Sequence, residues 1–550
     1  MLANNSQLTL MDTKKSLLHQ HKLTFLLPLG LALGLLAQWL YIDRPLGISW
    51  LIFTTILLAS LILVARRSEL PIVRSNLWLW PALIFFATMV FLRANPFLTF
   101  LNVLATIGLL SFIFYFFAAG TIADMPLSGI FIQPLRMAGQ SLVNAATTVY
   151  TSIEPLADVR GSHQELAPVL RGGLLALPVL LVFTLLLASA DLVFNAQLQR
   201  LLIINPETLV PTIGRGIFAG LVALAVCGAT ATAVLRGISQ SNNDETWIER
   251  EARLLPLRFS LSATETATIL LLVSALFLAF IVIQFKYLFG GEANITQAGF
   301  TYAEYARRGF FELILVAFLS LGLILFLNWL TRRESKGQIR RFNTFSTILI
   351  GLVLLLLFTA FWRMRLYEQA YGYTELRLIV LVFELWLGLL LVWFLITLWH
   401  TPQRFAPGLL IAAIGFAATL NLINPDALIV RHNLQRYHET ADLDIFYLTW
   451  LSDDAVPHLA SAWPEIEQDD QIINECAGIP NCKPLTMSDI LGNNLRTRYL
   501  AFSENDGWQT WPAYHLARYR AAQALACATA TDNEPEFPTK PTCSSTQEPH

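Results

Sequence analysis

Long apolar runs broken by short polar connections dominate this chain. A helix needs about 20 apolar residues to cross a bilayer core about 30 Å thick. Eleven runs approach that length, near 23–41, 48–65, 76–92, 96–118, 172–190, 216–235, 264–285, 309–330, 344–362, 376–399 and 405–423. The third and fourth are parted only by Arg93-Ala94-Asn95-Pro96, where a proline among polar residues predicts a tight hairpin rather than one continued helix. Leu127 to Tyr150 mixes apolar and polar positions and predicts an interfacial helix instead of a span. If it crossed as an additional span, the C-terminal tail would change sides.

Composition supports the pattern. Hydrophobic residues make up 55% of the 550 and charged residues 14%, with a mean hydropathy of +0.54, far from a soluble domain. The expected fold is an all-α polytopic membrane protein with about eleven transmembrane helices and a small, mostly helical extracytoplasmic C-terminal domain. Its parts are a cytoplasmic N-terminus over 1–22, a four-helix region over 23–118, a cytoplasmic segment over 119–171, a seven-helix core over 172–423, a C-terminal domain over 424–530 and a disordered tail over 531–550.

Basic residues set the orientation, because Lys and Arg near span ends are retained in the cytoplasm. The connections that are inside when the N-terminus is inside hold most of them, and Arg332, Arg333, Lys336, Arg340 and Arg341 crowd into one short loop. The polar Met1 to Lys22 region shows no cleavable signal, so the first span is read as retained. Residues 424–550 then lie outside. They carry 8 basic and 18 acidic residues, which excludes a nucleic-acid-binding face. Four of the five cysteines lie there, in the compartment where disulfides persist. Cys476 and Cys482 flank a turn-forming Gly-Ile-Pro-Asn run and are either a disulfide pair or two free thiols.

Ionisable residues gather at the outer ends of several spans. Glu304, Arg308 and Glu312 recur every four residues, so a helix stacks them on one face, with Arg307 beside them. The connection after the ninth span supplies Arg363, Tyr367, Glu368, Tyr371 and Arg377, and Glu384 lies deeper in the tenth. Asp191, Asn424 and Asp426 fall at the same level. A carboxylate within a membrane helix costs a few kcal/mol unless it is paired or faces water. Three readings follow: pairs that hold helices together, a ligand site, or a proton or ion path. No P-loop, nucleophile elbow, zinc-binding helix or dinucleotide fingerprint occurs, and the nine histidines lack ligand spacing. Neither a catalytic residue nor a metal or cofactor is assigned.

Leu185 to Asp191, Tyr302 to Glu312, Tyr367 to Gly372 and Asn421 to Ala427 together resemble a family of bacterial multi-span membrane proteins, the domain of unknown function numbered 4173, with related members numbered 4153. The resemblance covers about residues 170–450. It implies a bacterial cytoplasmic-membrane protein and transfers no catalytic residue.

The functional expectation is a non-enzymatic transporter-like or sensory component, with the bilayer as its surroundings and a small or lipidic ligand in the outer polar layer. The alternative is a membrane-embedded transferase acting on a lipid-linked substrate. That chemistry wants an acidic first outer loop with room for a donor, and Tyr41 to Gly47 offers only Asp43.

Overall fold

The computed structural model describes residues 25–158, 206–240, 261–288, 310–331, 335–401, 404–468, 472–474, 485–504 and 506–529. Helices dominate them. The membrane part comprises α1 (Leu26–Tyr41), α2 (Ile48–Arg67), α3 (Leu79–Leu92), α4 (Pro96–Phe116), α5 (Leu127–Asp158), α6 (Pro206–Gln240), α7 (Ala263–Leu288), α8 (Phe310–Leu330), α9 (Lys336–Tyr371), α10 (Glu375–His400) and α11 (Phe405–Ile423). The C-terminal part follows as α12 (Pro425–Thr440), α13 (Ile445–Trp450), α14 (Val456–Ile466), the two-stranded β1 (Ile472–Asn474) and β2 (Leu485–Thr486), α15 (Met487–Glu504) and α16 (Leu516–Thr529).

Among the described residues nine helical stretches are long and apolar enough to cross a membrane: α2, α3 together with the 3-10 turn that leads into it (Arg74–Leu92), α4 and α6 to α11. They coincide with nine of the eleven predicted runs. The run at 23–41 appears as α1, only 16 residues long, and the one at 172–190 lies outside the described residues. An all-α polytopic membrane fold accounts for this architecture.

Close backbone approach assembles the bundle. Gly30 and Gly34 sit four residues apart on one face of α1, against Ala223 and Ala219 of α6, where an added Cβ would collide with backbone. Small residues at that spacing let two apolar helices gain van der Waals contact without lipid between them. On α10, Trp386 and Trp393 lie seven residues apart and cover Gly415 and Gly408 of α11 in antiparallel register. Each bulky ring is matched to a position with no side chain.

The bundle has two distinct ends. At one, the C-terminal part is seated: the Ile48 N–H donates to the Tyr514 carbonyl at 2.9 Å, and Trp39 meets Trp511 with ring centroids 5.4 Å apart. The same end holds the stop of α3, the start of α4, the turn between α9 and α10, and the stop of α11. The opposite end is tied by the Val73 N–H to the Phe117 carbonyl at 3.0 Å and by the Arg236 Nε to the Tyr115 carbonyl at 3.1 Å. The start of α1 lies toward that opposite end.

Two details differ from the pattern in the sequence. The stretch from Tyr447 to Leu459, in a domain expected to be mostly helical, is not one helix: α13 stops at Trp450 and α14 begins at Val456. The break delivers Ser452 and Asp454 to buried partners described below. The stretch expected to lie at the interface forms α5, 32 residues long, lying along α6. Asn144 Nδ2 donates to Thr232 Oγ1 at 2.8 Å, so the polar positions that lowered its hydropathy are turned into the helix contact.

Candidate functional site

The polar residues at the end bearing the C-terminal part form two separate groups. The first centres on Asn95, which sits between α3 and α4 with Pro96 as the first residue of α4. Its Oδ1 accepts from the Leu98 N–H at 3.0 Å, an N-cap that satisfies a backbone donor left free by helix geometry. Its Nδ2 donates to Glu375 Oε1 at 2.9 Å and to both Asp426 oxygens at 3.2 and 3.1 Å. One amide thus joins the starts of α4, α10 and α12.

The C-terminal part closes over this point. Asp454 Oδ2 accepts from the Ala94 N–H at 2.7 Å and the Asn95 N–H at 3.1 Å, where the N-terminus of α4 favours negative charge. Ser452 donates to Asp426 Oδ2 through its backbone N–H at 3.1 Å and its hydroxyl at 2.5 Å. The Glu375 N–H donates to the Tyr447 hydroxyl oxygen at 2.7 Å. Arg498 holds the loop from behind, donating to the carbonyls of Thr449 and Leu451 and to Asp453.

Below Asn95, Asn102 and Asn421 exchange side-chain hydrogen bonds at 2.9 and 2.7 Å, and Arg93 Nε donates to the Asn421 carbonyl at 2.8 Å. Burial pushes the Asp454 carboxyl up to about 6 despite the Arg93 charge beside it. Burial also pushes the His515 imidazole down to about 4; its ring meets the backbone of Arg93 and Val90. This group is closed, with carboxylates answered by donors.

The second group lies on the end of α9 and the beginning of α10. Arg363, Glu368 and Glu384 are all buried, Glu384 with 2% exposure. Arg365 pairs with Glu368 at 3.5 Å and donates to the Tyr373 hydroxyl at 2.8 Å. Arg377 lies over the Tyr367 ring at 4.2 Å and caps the turn by donating to the Gly372 carbonyl at 2.6 Å. Gly372 adopts a φ of 74°, a left-handed conformation that glycine takes without a Cβ penalty.

Glu384 is the exception in this arrangement. Neither of its carboxyl oxygens has a hydrogen-bond partner among the described residues. The polar group it approaches is the backbone at Phe361, whose amide belongs to the hydrogen-bond ladder of α9. Glu368, one layer nearer the turn, likewise has no hydrogen-bond partner on either oxygen among the described residues, and faces Arg365 at 3.5 Å with Arg377 nearby. Met364, one turn before Glu368, and Leu381, one turn before Glu384, belong to one buried apolar cluster.

The described residues expected in one outer layer are thus divided between two groups at the same end of the bundle. Tyr367, Glu368 and Arg377 come together across the turn; Arg363 and Glu384 are buried on α9 and α10, and Tyr371 is exposed at the edge. Asp426 belongs instead to the Asn95 group. Asn424 joins α11 to α12 in a left-handed conformation with φ of 50°, and its Oδ1 has no partner among the described residues. Glu312 is exposed in the first turn of α8. Asp191, Glu304, Arg307 and Arg308 lie outside the described residues, as do Cys476 and Cys482. Cys527 is disulfide-bonded, and its partner cysteine is outside the described residues.

Sequence reasoning missed Asn95, Asn102, Ser452 and Asp454 as members of a site. The Asn-Pro pair was legible as a helix start, and nothing local pointed from it to partners 280 to 359 residues away. Among the described residues, no cluster of three or more His, Cys, Asp or Glu side chains is arranged to hold a metal ion.

A family profile described as Domain of unknown function (DUF4153) matches residues 81–462. That span is well over half of the chain, and the protein belongs to this family. Of the two related family numbers that the sequence resembled, 4153 is the one matched. The matched region begins within α3 and ends within α14, so it contains the second polar group and all of the first except Arg498 and His515. No curated protein and no solved structure matches the chain.

Proposed function

We propose that the protein is a non-enzymatic component of a bacterial cytoplasmic membrane, transporter-like or sensory, that binds a small or lipidic ligand between α9 and α10. The observation that carries this reading is Glu384, a buried carboxyl whose oxygens have no hydrogen-bond partner among the described residues. A charge in that position costs a few kcal/mol when unanswered, and a ligand group that donates hydrogen bonds or carries positive charge offsets it. Structural pairing would leave the opposite signature, a saturated network such as the one around Asn95.

The C-terminal part faces outward on this reading. Arg66, Arg67, Arg74, Lys336, Arg340, Arg341 and Arg404 all lie toward the opposite end, as the retention of basic residues on the cytoplasmic side requires. The Cys527 disulfide suits an oxidising compartment. Trp450, 87% exposed, and the Trp39 and Trp511 pair ring the outward end with aromatics of the kind that settle at headgroups.

The transferase alternative gains nothing from the geometry. Only six residues join α1 to α2, and Asp43 among them pairs with Arg215 at 2.5 Å.

The test uses delipidated protein in detergent, with a total polar lipid extract of the host membrane as the probe. The extract is expected to raise the Tm of the wild type and to leave Glu384→Gln unshifted, while both proteins reach the membrane in equal amount. Equal shifts in the two proteins, or loss of Glu384→Gln from the membrane as severe as that of Asn95→Ala, would overturn the ligand reading.

A further inference from the structure

The helix α5 is built inside out for a surface helix. Its buried positions are polar in large part: Gln133, Ser141, Asn144, Thr147 and Thr148 are all under 9% exposed. Its exposed positions are apolar. Phe131 is 68% exposed, Leu135 73% and Leu142 71%, with Ile132 and Val143 beside them, and Ala138, Gly139 and Ala146 complete the same stripe. An amphipathic helix in water, or against a soluble domain, shows the reverse polarity.

The buried face is committed to α6. Gly228 of α6 lets the Ser141 backbone approach where any Cβ would collide. Asn144 bonds Thr232, and the Thr148 hydroxyl reaches the Cys227 thiol. Met137 joins Ala233 in one buried cluster. These contacts occupy three turns of α5 and fall within Gly214–Ile238, the stretch of α6 that is long and apolar enough to cross a membrane. Thus α5 lies beside that stretch, running in the opposite direction, with its start at the end of the bundle where α4 stops.

We infer that α5 crosses the membrane as a transmembrane helix, its Phe131–Leu135–Leu142 stripe facing lipid acyl chains and its polar seam sealed against α6. At 1.5 Å per residue, 32 residues extend about 48 Å, enough for a tilted crossing. Hydropathy misses it because the residues that lower the average are those the fold hides. Asn144 is satisfied inside the bilayer by its bond to Thr232, and Thr147 and Thr148 by donating to the Val143 and Asn144 carbonyls of their own helix, while the Gln133 amide has no hydrogen-bond partner among the described residues. Arg136 lies ten residues into the helix, within reach of the nearer surface by snorkelling. Gln140 is the polar side chain that remains on the exposed stripe. With α5 ending and α6 starting at the end that bears the C-terminal part, α5 takes the place of the crossing expected at 172–190, a run outside the described residues, so the number of crossings is unchanged and the C-terminal part keeps its side.

Depth distinguishes a crossing helix from one lying on the surface. Single cysteines at 131, 135, 142 and 146 carry a nitroxide in full-length protein in lipid nanodiscs, and collision with oxygen is compared with collision with a water-soluble nickel chelate. Leu385, on the exposed face of α10, is the lipid control, and Thr497, exposed on α15, is the water control. The expected result is lipid-like accessibility at 135 and 142, with depth changing steadily from 131 to 146. Equal depth at all four positions, or accessibility like that of Thr497, would overturn the crossing. Ala138→Cys and Ala146→Cys, the smallest changes on the stripe, decide the matter if larger positions reject the label.

Discussion

Asn95 connects three helix starts through a single side chain, so its loss is felt at several groups together. Asn95→Ala removes an N-cap and leaves the Asp426 and Glu375 carboxyls short of a donor. A lost cap costs about 1 kcal/mol and a buried acceptor left unpaired about 1–3 kcal/mol. The Tm of the purified protein is expected to fall by several degrees, with Asn95→Asp faring no better, because a third carboxylate at that point repels the other two.

Asp454 and His515 make opposite demands on pH. Burial raises the Asp454 carboxyl to about 6, so the folded state binds its proton more tightly than the unfolded state. Its contribution to stability therefore declines as pH rises from about 4 to about 6. Burial lowers His515 to about 4, the unfolded state binds that proton more tightly, and stability rises with pH from about 4 to about 6.5. The slopes oppose each other in nearly the same window, each worth about 3 kcal/mol at most. Thermal unfolding between pH 4 and 7 is expected to be nearly flat in the wild type. Asp454→Asn should become acid-labile below pH 6.5, and His515→Gln should be more stable at pH 4.5 than at pH 7. Parallel profiles in all three proteins would remove both residues from the argument.

Among the elements, α1 depends on α6 more than on its own length. At 16 residues it spans about 24 Å, short of a bilayer core, and its two glycines fix how closely it can lie against α6. Gly34→Val forces the helices apart along the seam that also carries Cys227 and Val234. Such overpacking is expected to cost about 1–3 kcal/mol, read as a lower Tm and as faster labelling of Cys227 by a small apolar thiol reagent. Replacing Gly220, a glycine of α6 with open space around it, with alanine should leave both readings unchanged.

At the scale of the whole molecule, two attachments seat the C-terminal part. One is the Gly47 to Tyr514 strap beside α2, and the other is the Asn95 joint. A buried cluster continues across the boundary, from Leu378 of α10 and Ile429 of α12 to Leu448, Leu459 and Leu491. The C-terminal part is thus expected to unfold together with the end of the bundle, in one thermal transition. Reduction of the Cys527 disulfide should lower that single Tm, and limited proteolysis should then begin in the C-terminal part while the spans stay intact. Two separate transitions in the wild type would show that the boundary is looser than the shared cluster implies.

Much of the fold was legible from the chain alone. Transfer of a span into lipid is a sum over neighbours in sequence, and nine described helices fall where that sum is large. The adjacency of α9 and α10, which puts Arg363 to Arg377 and Glu384 on neighbouring helices, was also legible, since a short turn sets two antiparallel helices side by side whatever the rest of the bundle does. Tertiary structure alone decided the rest. Asn95 meets Asp426 across 331 positions, and Asn102 meets Asn421 across 319, because helices distant in sequence lie side by side. The same cause hides the polar face of α5. Hydropathy counts what a residue is, whereas only the packed bundle determines whether it faces lipid, water or another helix.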